Sequence, residues 1–344
     1  MIEIDRYHRQ TLLWQIGEAG QRRLSTARVL LVGCGALGTV IADQFVRAGV
    51  GFLRLVDRDV VERTNLQRQV LFDESDAAGG LPKAHAAANR LARINSAVEL
   101  DPRIVDVHSG NIESLVAGVE LILDGTDNAE TRYLINDAAV KHGLPWVYGA
   151  CIGTGGRAMG IAPGQSPCLR CLFPEPPGPG ELQTCDTAGV LGAAAAVIAS
   201  IQVAEAMKLL LHDPHAARTL VTLDLWPMHV RTISTEDARR EDCPACGQHD
   251  FRFLDARPGK AAASLCGRNT VQVRPDTNGA PIDLDRAARR LASAGDCRQT
   301  PFFVRCALRE RDLTLTLFPD GRALIHGTAD VALARSIYAR WVGS

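Results

Sequence analysis

A glycine-rich turn between an apolar run and a helical segment most constrains how this chain can fold. The apolar run ARVLLVG covers residues 27–33, and the turn VGCGALG supplies Gly33, Gly35 and Gly38 ahead of a helix predicted over Ala36–Ala48. Glycines in this G-x-G-x-x-G spacing allow a tight turn and let phosphates approach the backbone at a helix N-terminus. The turn predicts a nucleotide-binding unit, but by itself it does not choose among NAD, FAD and ATP.

Strand-like and helix-like segments alternate through the first half of the chain. The predicted strands cover residues 27–33, 52–57, 98–105, 119–127 and 144–150. The predicted helices cover residues 6–24, 36–48, 82–94 and 129–142, and a long buried helix is predicted over roughly 187–211. Such alternation is typical of an α/β fold with a doubly wound, mostly parallel, Rossmann-like sheet.

Two breaks in composition divide the chain. FPEPPGPGELQTC (173–185) contains too much proline and glycine for regular structure, so we expect a mobile crossing loop there. DARPGKAAAS (255–264) separates a large nucleotide-binding domain, predicted over residues 1–254, from a small α+β domain over residues 265–344. For the small domain we predict helices over 284–294 and 330–342, and strands over 312–318 and 322–326.

The overall composition argues against some classes of partner. The net charge of −1 leaves no basic surplus for neutralising phosphates, so we expect neither a nucleic-acid partner nor a membrane partner. MIEIDRYHRQ has no apolar segment of the signal-peptide type, and the longest apolar stretch, 188–199, is too short to span a bilayer. We therefore expect a cytoplasmic protein whose 10 cysteines are thiols, metal ligands or nucleophiles rather than disulfides.

The polar turn after the second strand narrows the choice of nucleotide. Asp57 ends that strand about 20 residues beyond the glycine turn, where an acid suits a ribose hydroxyl. A nicotinamide dehydrogenase needs no more than this acid, yet the chain continues with NLQRQ, which contains Asn65 and Arg68. Lys83 then begins the next predicted helix. An arginine and a lysine converging on a nucleotide predict a polyphosphate rather than a dinucleotide.

An acid opposite these cations indicates a magnesium ion. DGTDN places Asp127 and Asn128 at the carboxyl end of the fourth predicted strand, where open α/β sheets bind their ligands. A carboxylate that faces phosphates is a typical ligand of Mg²⁺. Each charged residue also has an ordinary interpretation on its own, as a surface arginine, a solvated lysine or a helix N-cap. It is their shared position at one edge of the sheet that predicts a site.

Two cysteine pairs predict a zinc site. CLRC contains Cys168 and Cys171, and CPAC contains Cys243 and Cys246. Two C-x-x-C pairs in loops of a cytoplasmic protein are typical of one tetrahedral Zn²⁺ with four thiolate ligands. Because no ligand position is left open, the predicted site is structural. The alternative is that these are redox-active or unrelated thiols.

Cys185, in QTCDTAGV, stands apart from the two pairs. It ends the predicted mobile loop and precedes a predicted helix, where the helix dipole would lower the pKa of a thiol. We interpret it as a candidate nucleophile. The alternative is a small residue at a helix start with no chemical role.

Together these segments resemble the MoeB/ThiF/HesA family, the bacterial relatives of ubiquitin-activating enzymes. The resemblance runs from RYHRQ (6–10) to CPAC (243–246) and includes the glycine turn, LVDRDVVERTNLQRQ (55–69), PKA and TDN. The tail is similar to homologues that end in LCGRNTVQ and FxDGRxLxHGT segments, here LCGRNTVQV and FPDGRALIHGT.

The resemblance implies a reaction. Members of the family bind ATP and Mg²⁺ and adenylate the C-terminal glycine of a ubiquitin-like sulfur carrier of the MoaD or ThiS type, which ends in Gly-Gly. Motif by motif, Asp57 would hold the ribose of ATP. Asn65, Arg68 and Lys83 would hold its phosphates. Asp127 would serve Mg²⁺ and the reacting centre.

The resemblance also implies an assembly. Arg9, in RYHRQ, would reach into the active site of the partner subunit of a homodimer, and Cys185 falls at the cysteine that becomes linked to the carrier in ThiF-like members. Two departures stand out. Ala36 occupies a position that is glycine in many members, and the tail lacks a rhodanese-type cysteine loop. We therefore expect a separate persulfide protein to donate the sulfur.

Other functions remain as alternatives. Within the family, the activated carboxylate could pass to a different acceptor, such as an amine, a peptide or a tRNA nucleoside. An NAD or FAD oxidoreductase would leave NLQRQ and the cysteine pairs unexplained. A non-enzymatic, zinc-stapled binding module is a further alternative, which an absence of ATP turnover with every carrier would favour.

Overall fold

The computed structural model describes residues 4–178, 185–256, 262–265, 269–274, 282–309 and 312–343. The chain divides into two compact units, Met1–Arg257 and Pro258–Ser344. Each unit has its own apolar core.

The first unit is built on one sheet, with eight strands among the described residues. They are β1 (Arg28–Val32), β2 (Phe52–Val56), β3 (Glu99–Arg103), β4 (Leu121–Asp124), β5 (Trp146–Ile152), β6 (Gly155–Ile161), β7 (Thr219–Leu225) and β8 (Met228–Ser234). The order is β3-β2-β1-β4-β5-β6-β7-β8. Strands β1 to β5 run parallel to one another, whereas β6, β7 and β8 are each added antiparallel to the strand before them. The predicted α/β class with a mostly parallel sheet is confirmed.

Helices cover both faces of this sheet. They are α1 (His8–Thr11), α2 (Gly17–Leu24), α3 (Ala36–Ala48), α4 (Glu74–Gly79), α5 (Lys83–Ile94), α6 (Ile112–Val116), α7 (Ala129–His142), α8 (Leu169–Leu172), α9 (Cys185–Ala188), α10 (Gly192–Leu210) and α11 (Arg252–Asp255). On β1, Val29 and Leu31 pack with α3, α5 and α10, and Leu30 and Val32 pack with α6 and α7. Because side chains alternate along a strand, an unbroken apolar run is buried on both faces.

The antiparallel extension was not predicted, because β6 reads GGRAMGI and glycine disfavours strands. The structure supplies the reason for the glycines. A Cβ atom at Gly156 would lie 2.7 Å from Cγ1 of Ile198, and one at Gly160 would lie 2.7 Å from Cγ of Glu205. Both partners are on α10, so the helix packs directly against the backbone of the strand. A side chain at either position would force the two elements apart.

The segment before α10 differs from the prediction. A single helix was expected over 187–211, but α10 begins at Gly192, and a separate short helix, α9, precedes it. Of the predicted loop 173–185, residues 179–184 lie outside the described residues. By length and composition alone α10 could cross a membrane, but more than half of it is buried inside the unit. Its packing on the sheet accounts for its apolar sequence.

Among its described residues, the second unit is an antiparallel sheet with two helices. Its described strands are β9 (Ala262–Leu265), β10 (Thr270–Val273), β11 (Gly295–Gln299), β12 (Val304–Leu308), β13 (Leu313–Leu317) and β14 (Ala323–His326). Their order is β11-β12-β13-β14-β10-β9. Helices α12 (Leu284–Leu291) and α13 (Val331–Trp341) close one apolar core with it. The α+β character was predicted, but strands β9 to β12 were not.

Candidate active site

The glycine loop joins β1 to α3 at the carboxyl edge of the parallel strands. Gly33 has a φ of +93°, and a Cβ there would lie 2.5 Å from the carbonyl oxygen of Gly125. Gly38 packs its backbone against Gly33 with no room for a side chain. Gly35 is the N-cap residue of α3, and Ala36 is its first residue. A Cβ at Gly35 would have nothing closer than 3.9 Å, so here the glycine keeps the backbone accessible rather than relieving a clash.

Asp57 follows β2 and is tied to the glycine loop. Its Oδ2 accepts a hydrogen bond of 2.7 Å from the backbone N–H of Cys34, and its Oδ1 accepts one of 2.7 Å from the N–H of Asp59. Burial raises the pKa of Asp57, an effect that the nearby charge of Lys83 partly offsets. Each carboxylate oxygen retains capacity for a further hydrogen bond. The predicted ribose-binding acid therefore lies beside the predicted phosphate loop.

Lys83 lies in the same place, at the N-terminus of α5. Its side chain is only 4% exposed, and Nζ is 3.2 Å from Oδ2 of Asp59. The backbone N–H of Lys83 also donates to the carbonyl of Asp59, at 2.9 Å. A buried ammonium needs a nearby negative charge, and Asp59 supplies it. Asp59 belongs to the motif LVDRDVVERTNLQRQ, but sequence reasoning assigned it no role.

Asn65 and Arg68 lie on the turn that follows. Asn65 is buried, and its Oδ1 accepts a hydrogen bond of 3.0 Å from the N–H of Glu62, which closes a capping box. Arg68 is half-buried, and its Nη1 donates to the carbonyl of Thr64 at 2.9 Å. The side chain of Asn65 thus holds the turn itself. A Cβ at Gly192 would lie 3.5 Å from Cβ of Arg68, so the first residue of α10 packs on this turn.

Asp127 and Asn128 lie on the loop between β4 and α7. Asp127 is exposed, whereas Oδ1 of Asn128 accepts a hydrogen bond of 2.9 Å from the N–H of Thr131. Asn128, not Asp127, is therefore the N-cap of α7. The N–H of Gly125 donates to the carbonyl of Val32 at 2.8 Å. This contact brings the Asp127 loop against the glycine loop, as predicted from the ends of parallel strands.

Arg9 is not brought to this site by its own chain. It is exposed on α1, whose neighbour Gln10 donates from Nε2 to the carbonyl of Ala48 at 3.0 Å. Tyr7 packs against Gly49 and accepts a hydrogen bond of 2.8 Å from Asn95. These partners are at the C-termini of α3 and α5, at the edge of the sheet opposite the glycine loop. The 13 residues of α3 separate the two edges by roughly 20 Å.

The two cysteine pairs meet in one cluster. Sγ of Cys168 is 3.6 Å from Sγ of Cys243 and 4.0 Å from Sγ of Cys171, which is itself 3.4 Å from Sγ of Cys246. All four sulfur atoms lie within 4.8 Å of one another. A tetrahedral zinc ion with Zn–S bonds of about 2.3 Å would require S–S distances of roughly 3.8 Å. The donor set and its spacing therefore fit Zn²⁺.

Helix α7 links the cysteine cluster to the edge of the sheet that carries the glycine loop. Oδ1 of Asn136 accepts a hydrogen bond of 2.9 Å from the N–H of Leu169. Asp137 and Arg170 form a fully buried ion pair with 3.7 Å between Oδ1 and Nη1. Both contacts connect the first C-x-x-C turn with the helix that begins beside Asp127.

Sequence comparison agrees with the geometry of this site. A model of the ThiF family matches residues 7–245. The chain belongs to the ThiF family. A sulfur carrier protein ThiS adenylyltransferase of Bacillus subtilis (strain 168) is 44% identical over 339 residues, which cover 98% of this chain and 99% of that protein. A SAMP-activating enzyme E1 of Haloferax volcanii is 41% identical over 247 residues, 72% of this chain and 90% of that protein.

Solved structures agree at the level of the fold. The crystal structure of E. coli MccB with MccA-N7isoASN matches with a TM-score of 0.63 at 20% identity, over 72% of this chain and 75% of that one. The resemblance inferred from the motifs is confirmed. In this ThiF-family chain, the motifs assigned no role to Asp59, the partner of Lys83, or to Asp124 and Arg132, a buried pair that flanks the Asp127 loop with 3.1 Å between Oδ2 and Nε. Their sequence signal was weak, because each lies two to four positions from a residue that already had a role: Asp57, Asp127 or Asn128.

Cys185 of this ThiF-family chain is the first residue of α9. The prediction of a lowered thiol pKa assumed the dipole of a long helix, whereas α9 has only four residues. Gly189, with a φ of +74°, follows α9 and separates it from α10. Among the other cysteines, Cys34 in the glycine loop is fully buried, and burial raises the pKa of its thiol well above the usual value.

Proposed function

We propose that this chain uses ATP to adenylylate the C-terminal glycine of a ubiquitin-like sulfur carrier, which activates the carrier for thiocarboxylate formation. The observation that carries the proposal is the convergence of the glycine loop, Asp57 and Lys83 at one edge of the sheet. A similar sulfur carrier protein ThiS adenylyltransferase, aligned over nearly the whole chain, supports the same reaction. The adenylylation chemistry belongs to the first unit, and we propose that the second unit is a separate α+β domain.

The reaction joins two anions that repel each other, the carboxylate of the carrier and the phosphates of ATP. The cations of the site would reduce this repulsion. An oxygen of the carrier's terminal carboxylate attacks the α-phosphorus of ATP, the bond to the bridging oxygen breaks, and pyrophosphate leaves with its electron pair. Fixed positive charges near the phosphates lower the barrier because they need no reorganisation during the reaction. Lys83, from its buried position beside Asp59, and Arg68, from the turn, are the cations proposed for this task.

The remaining groups bind and orient the nucleotide. Asp57 would accept hydrogen bonds from the ribose hydroxyls, and the N–H groups at Gly35 and Ala36 would meet the phosphates at the N-terminus of α3. Asn65 would act by holding the turn that carries Arg68. Asp127, with Asn128 fixing its loop, would hold Mg²⁺, which supplies charge neutralisation for the phosphates and the leaving pyrophosphate.

The function is tested by exchange of labelled pyrophosphate into ATP. Exchange should require both this chain and a ThiS-type carrier protein that ends in Gly-Gly. The matched control is the same carrier without its last glycine, which should support no exchange because the attacking carboxylate is displaced. Exchange that proceeds equally without any carrier, or absence of exchange with every Gly-Gly carrier supplied, would contradict the proposal. Exchange reports only the activation of the carboxylate, so a different acceptor within the family is tested by the product: carrier joined to an amine, a peptide or a tRNA nucleoside, with release of AMP, would favour that alternative.

We propose that the cysteine cluster holds one structural Zn²⁺. Cys168, Cys171, Cys243 and Cys246 would supply four thiolates, which leaves no position for a reacting ligand. The ion would fix two turns that are 75 residues apart in sequence. It takes no part in the proposed chemical step.

The position of Arg9 supports a homodimer with shared active sites. Within one chain Arg9 lies at the edge of the sheet opposite the glycine loop, so it could reach an active site only in a partner subunit. We expect Arg9→Ala and Arg68→Ala homodimers to be inactive and their mixed dimers to recover activity. In a mixed dimer one site combines an intact Arg68 with the partner's intact Arg9.

The measurement is pyrophosphate exchange by heterodimers isolated with two different affinity tags, and about half of the wild-type activity is expected. Arg6→Ala is the matched control, because Nη1 of Arg6 donates to the carbonyl of Ile94 in its own chain at 3.0 Å. That variant should stay active as a homodimer. Inactive heterodimers of demonstrated composition would show that Arg9 does not act across the dimer.

We propose that the Cys185 thiolate attacks the acyl carbon of the carrier adenylate, which forms a thioester and releases AMP, and that a separate persulfide protein then supplies the sulfur. Adenylate formation needs no thiol, so Cys185→Ser should keep pyrophosphate exchange near the wild-type rate. It should also lose any covalent species of enzyme and carrier on a non-reducing gel, and thiocarboxylate formation should slow. Cys151→Ser is a control on another cysteine. Unchanged thiocarboxylate formation by Cys185→Ser would mean that this thiol has no chemical role.

A further inference from the structure

Arg132, on the second turn of α7, is a buried cation beside the candidate site. Its side chain is 14% exposed, Nε is 3.1 Å from Oδ2 of Asp124, and Nη2 donates to the carbonyl of Thr126 at 2.7 Å. Its guanidinium also lies 5.7 Å from the ring centre of Tyr148. Burial alone would lower the pKa of Arg132, but the charges of Asp124 and other neighbours, Asp127 among them, raise it.

Asp124, at the end of β4, is the centre of this arrangement. It is fully buried, and its Oδ1 accepts hydrogen bonds from both the N–H and the hydroxyl of Thr126, at 2.9 and 2.6 Å. Oδ2 also accepts from the N–H of Gly149 at 3.3 Å, and the main-chain carbonyl accepts from Nε2 of Gln202 at 2.8 Å. The carboxylate thus joins β4, β5 and α7, and the main-chain carbonyl adds α10.

The loop that this network holds is the one that carries Asp127. Gly125 and Thr126 are the two residues between Asp124 and Asp127, and both are buried. Gly125 lies so close to Gly33 that no side chain fits between them. A shift of the loop would therefore move Asp127 and press on the glycine loop at the same time. Asp127 itself is exposed, so its position depends on how firmly the loop is held.

We propose that Arg132 is a positioning residue for adenylylation: through Asp124 and the carbonyl of Thr126 it holds the loop so that the Asp127 carboxylate faces the metal-bound phosphates. The proposal rests on the proposed function. Two separate acceptors explain the choice of arginine, because a planar guanidinium serves both at fixed angles and a lysine ammonium does not. Arg132 acts at a distance from the phosphates and touches no reacting atom.

A second arginine of the chain allows a matched control. Arg54 on β2 has a side chain that is 13% exposed, and its Nε is 2.8 Å from Oδ2 of Asp101. Its Nη1 donates to the carbonyl of Leu115 at 2.6 Å. Arg54 therefore has the same burial and the same kinds of acceptor as Arg132, but it supports strand β3 rather than the Asp127 loop. Any loss of stability caused by shortening a buried arginine should be similar at the two positions.

The experiment compares Arg132→Lys and Arg54→Lys, each alone and combined with Asp127→Asn, in the complete enzyme with ATP and carrier. Alone, Arg132→Lys should lower the rate of pyrophosphate exchange by about 10²-fold. In the Asp127→Asn background the same change should lower it by less than about threefold, because the residue acts through Asp127. Arg54→Lys should cost little in either background.

Binding supplies a readout that does not depend on turnover. In calorimetry with ATP, the Mg²⁺ concentration that gives half-maximal affinity should rise several-fold in Arg132→Lys and stay unchanged in Arg54→Lys. ATP affinity without Mg²⁺ should be nearly equal in both. If Arg132→Lys does not fold, Thr126→Val removes the hydroxyl that donates to Asp124, and Thr126→Ser keeps it.

An equal loss from Arg132→Lys with and without Asp127→Asn would overturn the proposal, and so would equal effects of Arg132→Lys and Arg54→Lys. Either result would make the Arg132–Asp124 pair a contribution to stability alone. Failure of the proposed function is a separate outcome, since it would appear as absence of carrier-dependent exchange in the wild-type chain.

Discussion

Asp127→Ala is expected to lower carrier-dependent pyrophosphate exchange by 10³-fold or more, while the chain stays folded. Asp127 is exposed on the loop that touches the glycine loop, so replacing its side chain leaves the apolar core untouched. Removing one well-placed electrostatic group at a reacting centre costs about 10² to 10³ in rate, and loss of a metal ligand adds to that cost. The rate constant is measured at saturating ATP and carrier, over a range of Mg²⁺ concentrations.

Glu130→Gln is the matched control for Asp127→Ala. Glu130 is an exposed acid in the first turn of α7, so its loss changes the local charge equally. Exchange by that variant should remain within about twofold of wild type, because charges that do not face the phosphates are screened by solvent. If Asp127→Ala retains activity close to that of Glu130→Gln, the assignment of Asp127 to the metal and the reacting centre is wrong.

Cys243→Ser is expected to release the zinc ion and to unfold much of the first unit near physiological temperature. Cys243 is fully buried, and its sulfur is 3.6 Å from that of Cys168. The free energy of binding structural zinc is part of the folding free energy, so losing one thiolate should lower the melting temperature by roughly 10 °C or more. Metal analysis of the purified protein should give about one zinc per wild-type chain and little in the variant.

Cys297→Ser is the control for the zinc experiment. Cys297 is half-buried in β11 of the second unit, outside the cluster. The variant should keep its zinc and most of its stability. A wild-type protein that is fully folded after exhaustive chelation, with no metal and an unchanged melting temperature, would rule out a structural zinc site.

The sequence by itself determined the elements that are specified by capping residues or by short motifs. Helices α3 and α7 were predicted with the bounds they have, because Gly49 and Gly143 adopt the left-handed conformation that ends them. The paired cysteines were predicted as one cluster because the C-x-x-C spacing predicts the ligand geometry within each half. Membership of the ThiF family also followed from short motifs, since each motif is a continuous stretch of chain.

The tertiary structure alone decided which groups are neighbours across the sequence. Lys83 is buried against Asp59, 24 positions away, and Asp124 is bound by Gln202, 78 positions away. Arg9 has its position set by the C-termini of two helices. Strand β6 forms in spite of its glycines because α10 packs on its backbone. In each case the deciding energy comes from packing or from a buried charge, and that depends on contacts that no local pattern specifies.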